Sequence, residues 1–192
     1  RLFRLPEHLS RLREGAAFLG ISNIPDDAGM ERAIRETLRA NNLKDARIRL
    51  TLSIGEGTLS PDTLSCKQPT LMVAAAHFTS PSDDIYNKGY RAIISEHRRD
   101  SLSPLSKIKT GNYLASLLAR TEARQKGAGE ALLLNERGSL SECGAANIFL
   151  VKNRSIITPD EKSGILPGIT RKEVLKICLQ SKYDVDEREV RP

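Results

Sequence analysis

The stretch Tyr113–Ser141, YLASLLARTEARQKGAGEALLLNERGSLS, carries two periodicities in one run, and its reading decides the fold class. From Tyr113 to Lys126 the pattern is that of an amphipathic helix, and Gly127 and Gly129 supply its stop. Ala131–Asn135 and Gly138–Ser141 are strand-sized runs, separated by the turn residues Glu136-Arg137-Gly138. A helix followed at once by paired strands places the chain in the mixed α/β (α+β) class.

Further strands follow toward the C-terminus. Asn147–Lys152 and the short segment Ile156-Ile157 are joined by a tight turn at Asn153-Arg154. Pro167-Gly168 precedes a last helix, Thr170–Leu179, and Val185–Val190 is expected to open a final strand.

Toward the N-terminus, Leu9, Leu12, Ala16, Phe18 and Leu19 mark a helix over Pro6–Ile21, with Gly20 as its stop. Asp26-Asp27 can cap a second helix that runs through Met30, Ile34, Leu38 and Leu43. Arg47–Ile54 alternates strictly and reads as a half-buried strand. Gly55–Pro69 is rich in turn formers and reads as a long functional or mobile loop. Thr70–Ala76 is the next strand; after a loop at Ser80–Asp84, Tyr90–Ser95 is another, ending toward the basic pair Arg98-Arg99. Two subdomains are expected, residues 1–100 being part of a smaller one that is incomplete at its start and residues 101–192 part of a larger one that is incomplete at its end.

Composition bounds the function. With 192 residues, 39% hydrophobic and 28% charged, the chain can bury a sizeable core and is neither disordered nor collagen-like. Its apolar runs are strand-sized and fall short of the roughly 18 residues of a membrane helix. The +6 charge invites a nucleic-acid reading, but the basic residues are scattered among acids, and no basic stripe is interleaved with aromatics. The three cysteines, Cys66, Cys143 and Cys178, stand far apart without a CxxC pair, so neither a disulfide framework nor a metal site is expected. A cytoplasmic setting is the expectation. The chain opens on Arg1 rather than methionine, with no leader pattern, and is expected to be a piece of a longer protein.

Several residues can carry chemistry. Lys107 and Lys109 lie just ahead of the Tyr113 helix, and in an extended segment both would point to one face. A lysine taken at random is a solvated surface residue, but a desolvated one becomes a nucleophile toward carbonyls. Glu142 lies between two strands among the small residues of Ser141-Glu-Cys-Gly-Ala-Ala-Asn147, where a flat ligand can approach closely. On its own it is an ordinary turn residue; beside a heterocycle it can hold a proton on a ring nitrogen. Leu166-Pro-Gly-Ile-Thr-Arg171 runs a Pro-Gly turn into a helix start, which presents free amides, a hydroxyl and the positive end of a helix dipole to an anion such as phosphate. The bland alternative is an ordinary helix capped by Thr170. Arg11 sits on the first helix, and Arg49 on a strand where it can face a cleft.

In their order along the chain, Glu7-His-Leu-Ser-Arg-Leu12, Lys109-Thr-Gly-Asn-Tyr113, Ser141-Glu-Cys-Gly-Ala-Ala-Asn-Ile-Phe149 and Leu166-Pro-Gly-Ile-Thr-Arg171 closely resemble the motifs of the class IV, or fold-type IV, pyridoxal-phosphate-dependent aminotransferases. That family includes branched-chain amino-acid aminotransferase, D-amino-acid aminotransferase and aminodeoxychorismate lyase. The resemblance implies pyridoxal 5'-phosphate as cofactor, with Lys109 as the lysine that bonds its aldehyde and later carries the proton. It implies that Glu142 keeps the pyridine nitrogen protonated and that Tyr113 hydrogen-bonds the ring hydroxyl. Arg11, the Ile169 and Thr170 amides and the Thr170 hydroxyl would clamp the phosphate. Lys107 lies outside the matched position. The resemblance also implies a homodimer, and a fold whose N- and C-terminal segments extend beyond this stretch.

The resemblance leaves the substrate open. The spacing between Lys109 and Asn112 is similar to the D-amino-acid and lyase members, whereas Ile48-Arg49 followed by Gly55, and Gly111-Asn112-Tyr113, are similar to the branched-chain members, in which this arginine lies beside the substrate pocket. Amino transfer from a branched-chain or similar apolar L-amino acid to 2-oxoglutarate is the leading expectation. A lyase that releases pyruvate from aminodeoxychorismate, a D-amino-acid aminotransferase, and a basic binding module in which Lys109 is a plain surface residue are the alternatives.

Overall fold

The computed structural model describes residues 1–59, 62–66 and 68–192. Part of the expected Gly55–Pro69 loop therefore lies outside the described residues. The chain forms two compact units, Arg1–Ser82 and Asp83–Pro192.

In the first unit, α1 (Leu5–Phe18) starts with a proline in its first turn and Glu7 near the positive end of its dipole. It stops before Ile21, because the Ile21 amide turns back to the Ala16 carbonyl (2.8 Å) across Gly20, whose φ is 69°. In α2 (Asp27–Ala40), the Asp26 carboxylate accepts from the Gly29 amide at 2.7 Å, the cap read from the sequence. Met30 and Ile34 are its buried residues. β1 (Ala46–Ser53) pairs antiparallel with β2 (Thr70–His77), with Ala46 opposite His77 and Ser53 opposite Thr70. The alternation is reproduced: Ile48, Leu50 and Leu52 are half-buried, while Arg47, Arg49 and Thr51 are exposed. Only glycine fits at Gly55, where φ is 98° and an added Cβ would lie 1.8 Å from the Gln68 carbonyl oxygen.

The second unit opens with α3 (Asp83–Lys88), in a region read as loop through Asp84. It is short and locally stabilised, with acids in the first turn, Lys88 in the last, and an Asp84–Lys88 ion pair at 3.0 Å. β3 (Ala92–Arg99) runs four residues beyond the expected Ser95. It pairs in parallel with β4 (Glu130–Asn135), with Arg99 opposite Asn135, so the sheet rather than local pattern sets its end. The expected division at residue 100 falls at the end of this strand. α4 (Leu114–Gln125) is the crossover between β3 and β4. Ala119 and Ala123 are small enough to bring it close onto Ala128, Ala131 and Leu133.

β5 (Leu140–Cys143) returns antiparallel to β4 and places Glu142 inside a strand rather than between strands. The turn before it is closed by the Asn135 side-chain oxygen, which accepts from the Arg137 and Ser139 amides, both at 3.0 Å. β6 (Leu150–Lys152) and β7 (Ser155–Pro159) form a hairpin through Asn153 and Arg154, both at positive φ, as a two-residue turn of matched twist requires. α5 (Ile169–Gln180) then crosses to β8 (Asp184–Arg188), which lies parallel to β7. Arg171, 4% exposed, fastens α5 by donating to the Pro159 carbonyl (2.9 Å) and to Glu187 (2.7 Å). Leu134, Leu140 and Val190, with Ile148, Leu150 and Ile157, make a second core that joins the two sheets of this unit. Among the described residues no helix is long and apolar enough to cross a membrane.

Candidate active site

A cavity of about 150 Å³ in the second unit gathers residues from its separate strands and turns. The segment Pro104–Lys107 forms a tight helical turn, started by the Ser103 hydroxyl accepting from the Leu105 amide. Ile108 leaves it in extended conformation. Because Lys107 is in the turn, the same-face expectation for the two lysines fails: Lys109 lines the cavity and Lys107 does not. Lys109 places Nζ 5.3 Å from the centroid of the Tyr113 ring. Tyr113 stands at the N-terminal boundary of α4 and lines the same cavity.

Glu142 faces them from β5, with its side chain only 11% exposed. Its Oε1 meets Arg99 Nη1 at 3.0 Å; its Oε2 accepts from the Leu166 amide (2.9 Å) and from Asn147 Nδ2 (3.4 Å). Burial pushes its pKa above the ordinary carboxylate value, against the opposing pull of Arg99, the Leu166 amide and Lys109. Gly144, Ala145 and Ala146, the small residues singled out in the sequence, line the wall beside it. Next to it, burial first and then Glu130 and Glu142 push the Cys143 thiol up to about 11.

Leu166 links this cavity to the expected phosphate seat. Asn147 Nδ2 also donates to the Leu166 carbonyl (3.1 Å), and its Oδ1 abuts Gly168, where an added Cβ would lie 2.0 Å away. Gly168 precedes α5, and the first intrahelical bond runs from the Lys172 amide to the Gly168 carbonyl, so the Ile169, Thr170 and Arg171 amides have no intrahelical acceptor. Ile169 is buried and Thr170 exposed, and neither lines the cavity itself.

The structure thus brings together Lys109, Tyr113 and Glu142, with the α5 terminus beginning three residues after Leu166. Arg11, half-buried on α1, and Arg49, exposed on β1, belong to the first unit. Arg99 and Asn147 have no role that local pattern discloses. In the sequence Arg99 is only the cationic end of a strand, and Asn147 only a letter within a motif.

The donor set fits pyridoxal 5'-phosphate. A primary amine answers an aldehyde, and a carboxylate answers a ring N–H. Three of the roughly four acceptor positions of the Glu142 carboxylate are occupied, which leaves one for such a bond. Free amides at a helix start answer a phosphate.

Lys109 and the buried Glu142 thus line one cavity, and the open terminus of α5 begins three residues beyond Leu166 in its wall. The chain belongs to the amino-transferase class IV family, whose family model matches residues 1–192. It is 38% identical, over 97% of its length and 64% of the relative's, to a protein of Methanocaldococcus jannaschii provisionally named a branched-chain-amino-acid aminotransferase. The crystal structure of the Escherichia coli branched-chain amino acid aminotransferase superposes with a TM-score of 0.92 at 29% identity, covering 98% of this chain and 63% of that one. The T.th. branched-chain amino acid aminotransferase with pyridoxamine 5'-phosphate gives 0.91 at 33% identity, covering 98% and 63%. The chain therefore spans a little under two thirds of the length of these relatives.

Proposed function

We propose that the protein is a pyridoxal-phosphate-dependent aminotransferase that moves the amino group of a branched-chain or similar apolar L-amino acid to 2-oxoglutarate. The observation that carries this reading is the convergence of Lys109, Tyr113 and Glu142 on one cavity, a few residues from the open terminus of α5. The cofactor, when bound, supplies an electron sink for the charge left on the substrate α-carbon. Lys109 would hold the cofactor at its aldehyde carbon and, once the incoming substrate amine displaces it, would use its freed amine to move the proton to and from the substrate α-carbon. Glu142 Oε accepts from the ring N–H and keeps that nitrogen protonated, and the Tyr113 hydroxyl orients the ring through its oxygen substituent. The Ile169 and Thr170 amides, the Thr170 hydroxyl and Arg11 bind the phosphate as charge-assisted donors. Arg49 takes part in substrate binding, and the likeness to branched-chain relatives supports the choice of substrate. A homodimeric assembly and a cytoplasmic location belong to the same proposal.

The test is reduction of the complete protein with borohydride in the presence of pyridoxal 5'-phosphate, followed by peptide mapping and a substrate panel. The expected result is a pyridoxyl adduct on Lys109, and 2-oxoglutarate-dependent amino transfer from leucine, isoleucine or valine. An adduct elsewhere, or turnover retained in Lys109→Ala, overturns the assignment. Transfer from D-amino acids, or pyruvate release without an amino acceptor, would instead identify one of the other two activities.

A further inference from the structure

Arg99 occupies a position that the proposed chemistry does not use. Its side chain is 21% exposed and lines the cavity, and all three guanidinium nitrogens have acceptors: Nη1 meets Glu142 Oε1 at 3.0 Å, Nε donates to the Gly164 carbonyl at 2.6 Å, and Nη2 to the Ser106 carbonyl at 2.7 Å. These acceptors lie at three functional points. Ser106 closes the turn that delivers Lys109. Gly164, at φ 83° with only 2.7 Å between an added Cβ and Ser101 Cα, begins the descent to Leu166, whose amide holds the other oxygen of Glu142.

We propose that Arg99 is a positioning residue, which keeps Glu142 an ionised acceptor aimed into the cavity and, through the same guanidinium, fixes the approaches to Lys109 and Leu166. The inference rests on the cofactor reading above and deepens it. A planar fork with fixed donor directions can serve three acceptors at once, whereas an ammonium on a flexible stem cannot. The electrostatic need is plain: burial disfavours the Glu142 carboxylate, yet a protonated Glu142 cannot accept from a ring N–H. The charged and titratable groups around it are Arg99 on β3, Lys109 and Tyr113 before α4, Arg120 of α4 against Gly144, Glu130 at the start of β4, and Cys143 on its own strand. Arg99 touches the carboxylate whether or not the cofactor is present, whereas Lys109 acts on it only from a distance and is committed to the cofactor's aldehyde.

The experiment is an infrared titration of Glu142 in the cofactor-free complete protein, isolated as the difference from Glu142→Gln, together with a pH titration of the bound cofactor's absorbance. Arg99→Gln should raise the Glu142 titration by about one to three pH units, the usual effect of removing an opposite charge in contact. The cofactor spectrum should gain a matching transition that is lost in Arg99→Gln/Glu142→Gln. Arg99→Lys should keep the titration near the parent value while melting at a lower temperature, because it cannot serve both carbonyls. An unmoved titration in Arg99→Gln, with reduced thermal stability alone, overturns the proposal and leaves Arg99 a backbone clamp. If Arg99→Gln does not fold, Arg99→Met takes its place: the same upward displacement is expected, and an unmoved titration in the folded variant overturns the proposal. Failure of the cofactor reading would instead appear as a missing Lys109 adduct, which the infrared titration does not depend on.

Discussion

A methyl group added at Gly168 would lie 2.0 Å from Asn147 Oδ1 and 3.4 Å from the Arg171 Cβ, so Gly168→Ala must displace the asparagine that holds the Leu166 carbonyl. The expected cost is about 1–3 kcal/mol of stability, together with weaker cofactor binding; denaturant unfolding and cofactor titration measure the two. At Glu142 the expectation separates binding from rate. Glu142→Ala should still load cofactor but turn over more slowly by about a hundredfold or more, as for loss of a group that stabilises charge, and steady-state kinetics at saturating cofactor will show it. The neighbouring Cys143 should be a poor nucleophile. With its thiol held near 11 against an ordinary 9.0, its thiolate fraction below pH 9 falls by about a hundredfold. Alkylation followed by mass spectrometry should find it reacting far more slowly than free glutathione at pH 8.

At the scale of elements, α4 is fastened to β3 through Glu122, which accepts from the Ser95 hydroxyl (2.6 Å) and the Glu96 amide (3.1 Å) and pairs with Lys126 at 2.7 Å. The Lys126 and Ser95 bonds lower the Glu122 pKa from 4.5 to about 2. A carboxyl group depressed on folding stabilises the fold above its unfolded value, and that contribution is lost as the pH falls from about 4.5 toward 2. Glu122→Gln should therefore flatten the decline of stability over that window, as read from urea midpoints between pH 5 and pH 2. The same elements show what a sequence can and cannot disclose. The alternation of β1, the Asp26 cap and the Asn153-Arg154 turn were legible because each is decided by neighbours a few residues away. The end of β3 was not, because its last residues are held by pairing with β4 across the α4 crossover. For the same reason Arg99 read as the basic end of a strand: all its partners come from other segments. Lys109 and Glu142 stood out through their motifs, but their meeting on one cavity did not, nor did the α5 start lying three residues beyond its Leu166 wall. α3, only six residues long, falls below what periodicity can detect.

For the whole molecule, the net charge of +6 favours the arrival of anions. The association rate of pyridoxal phosphate, followed by stopped-flow absorbance, should fall several-fold between low and physiological ionic strength as this attraction is screened. Connectivity has a further consequence. The Leu140 amide donates to the Val190 carbonyl at 2.7 Å, and Ser139 bonds Glu189 fifty residues further along the chain. On a translating ribosome that interval lasts on the order of several seconds at typical elongation rates. Throughout it β5, with Glu142 upon it, has left the exit tunnel without the segment that closes over it. The nascent chain thus carries the strand that bears Glu142 without its Glu189 and Val190 partners until those two residues emerge, a window in which chaperones or proteases can reach the strand first.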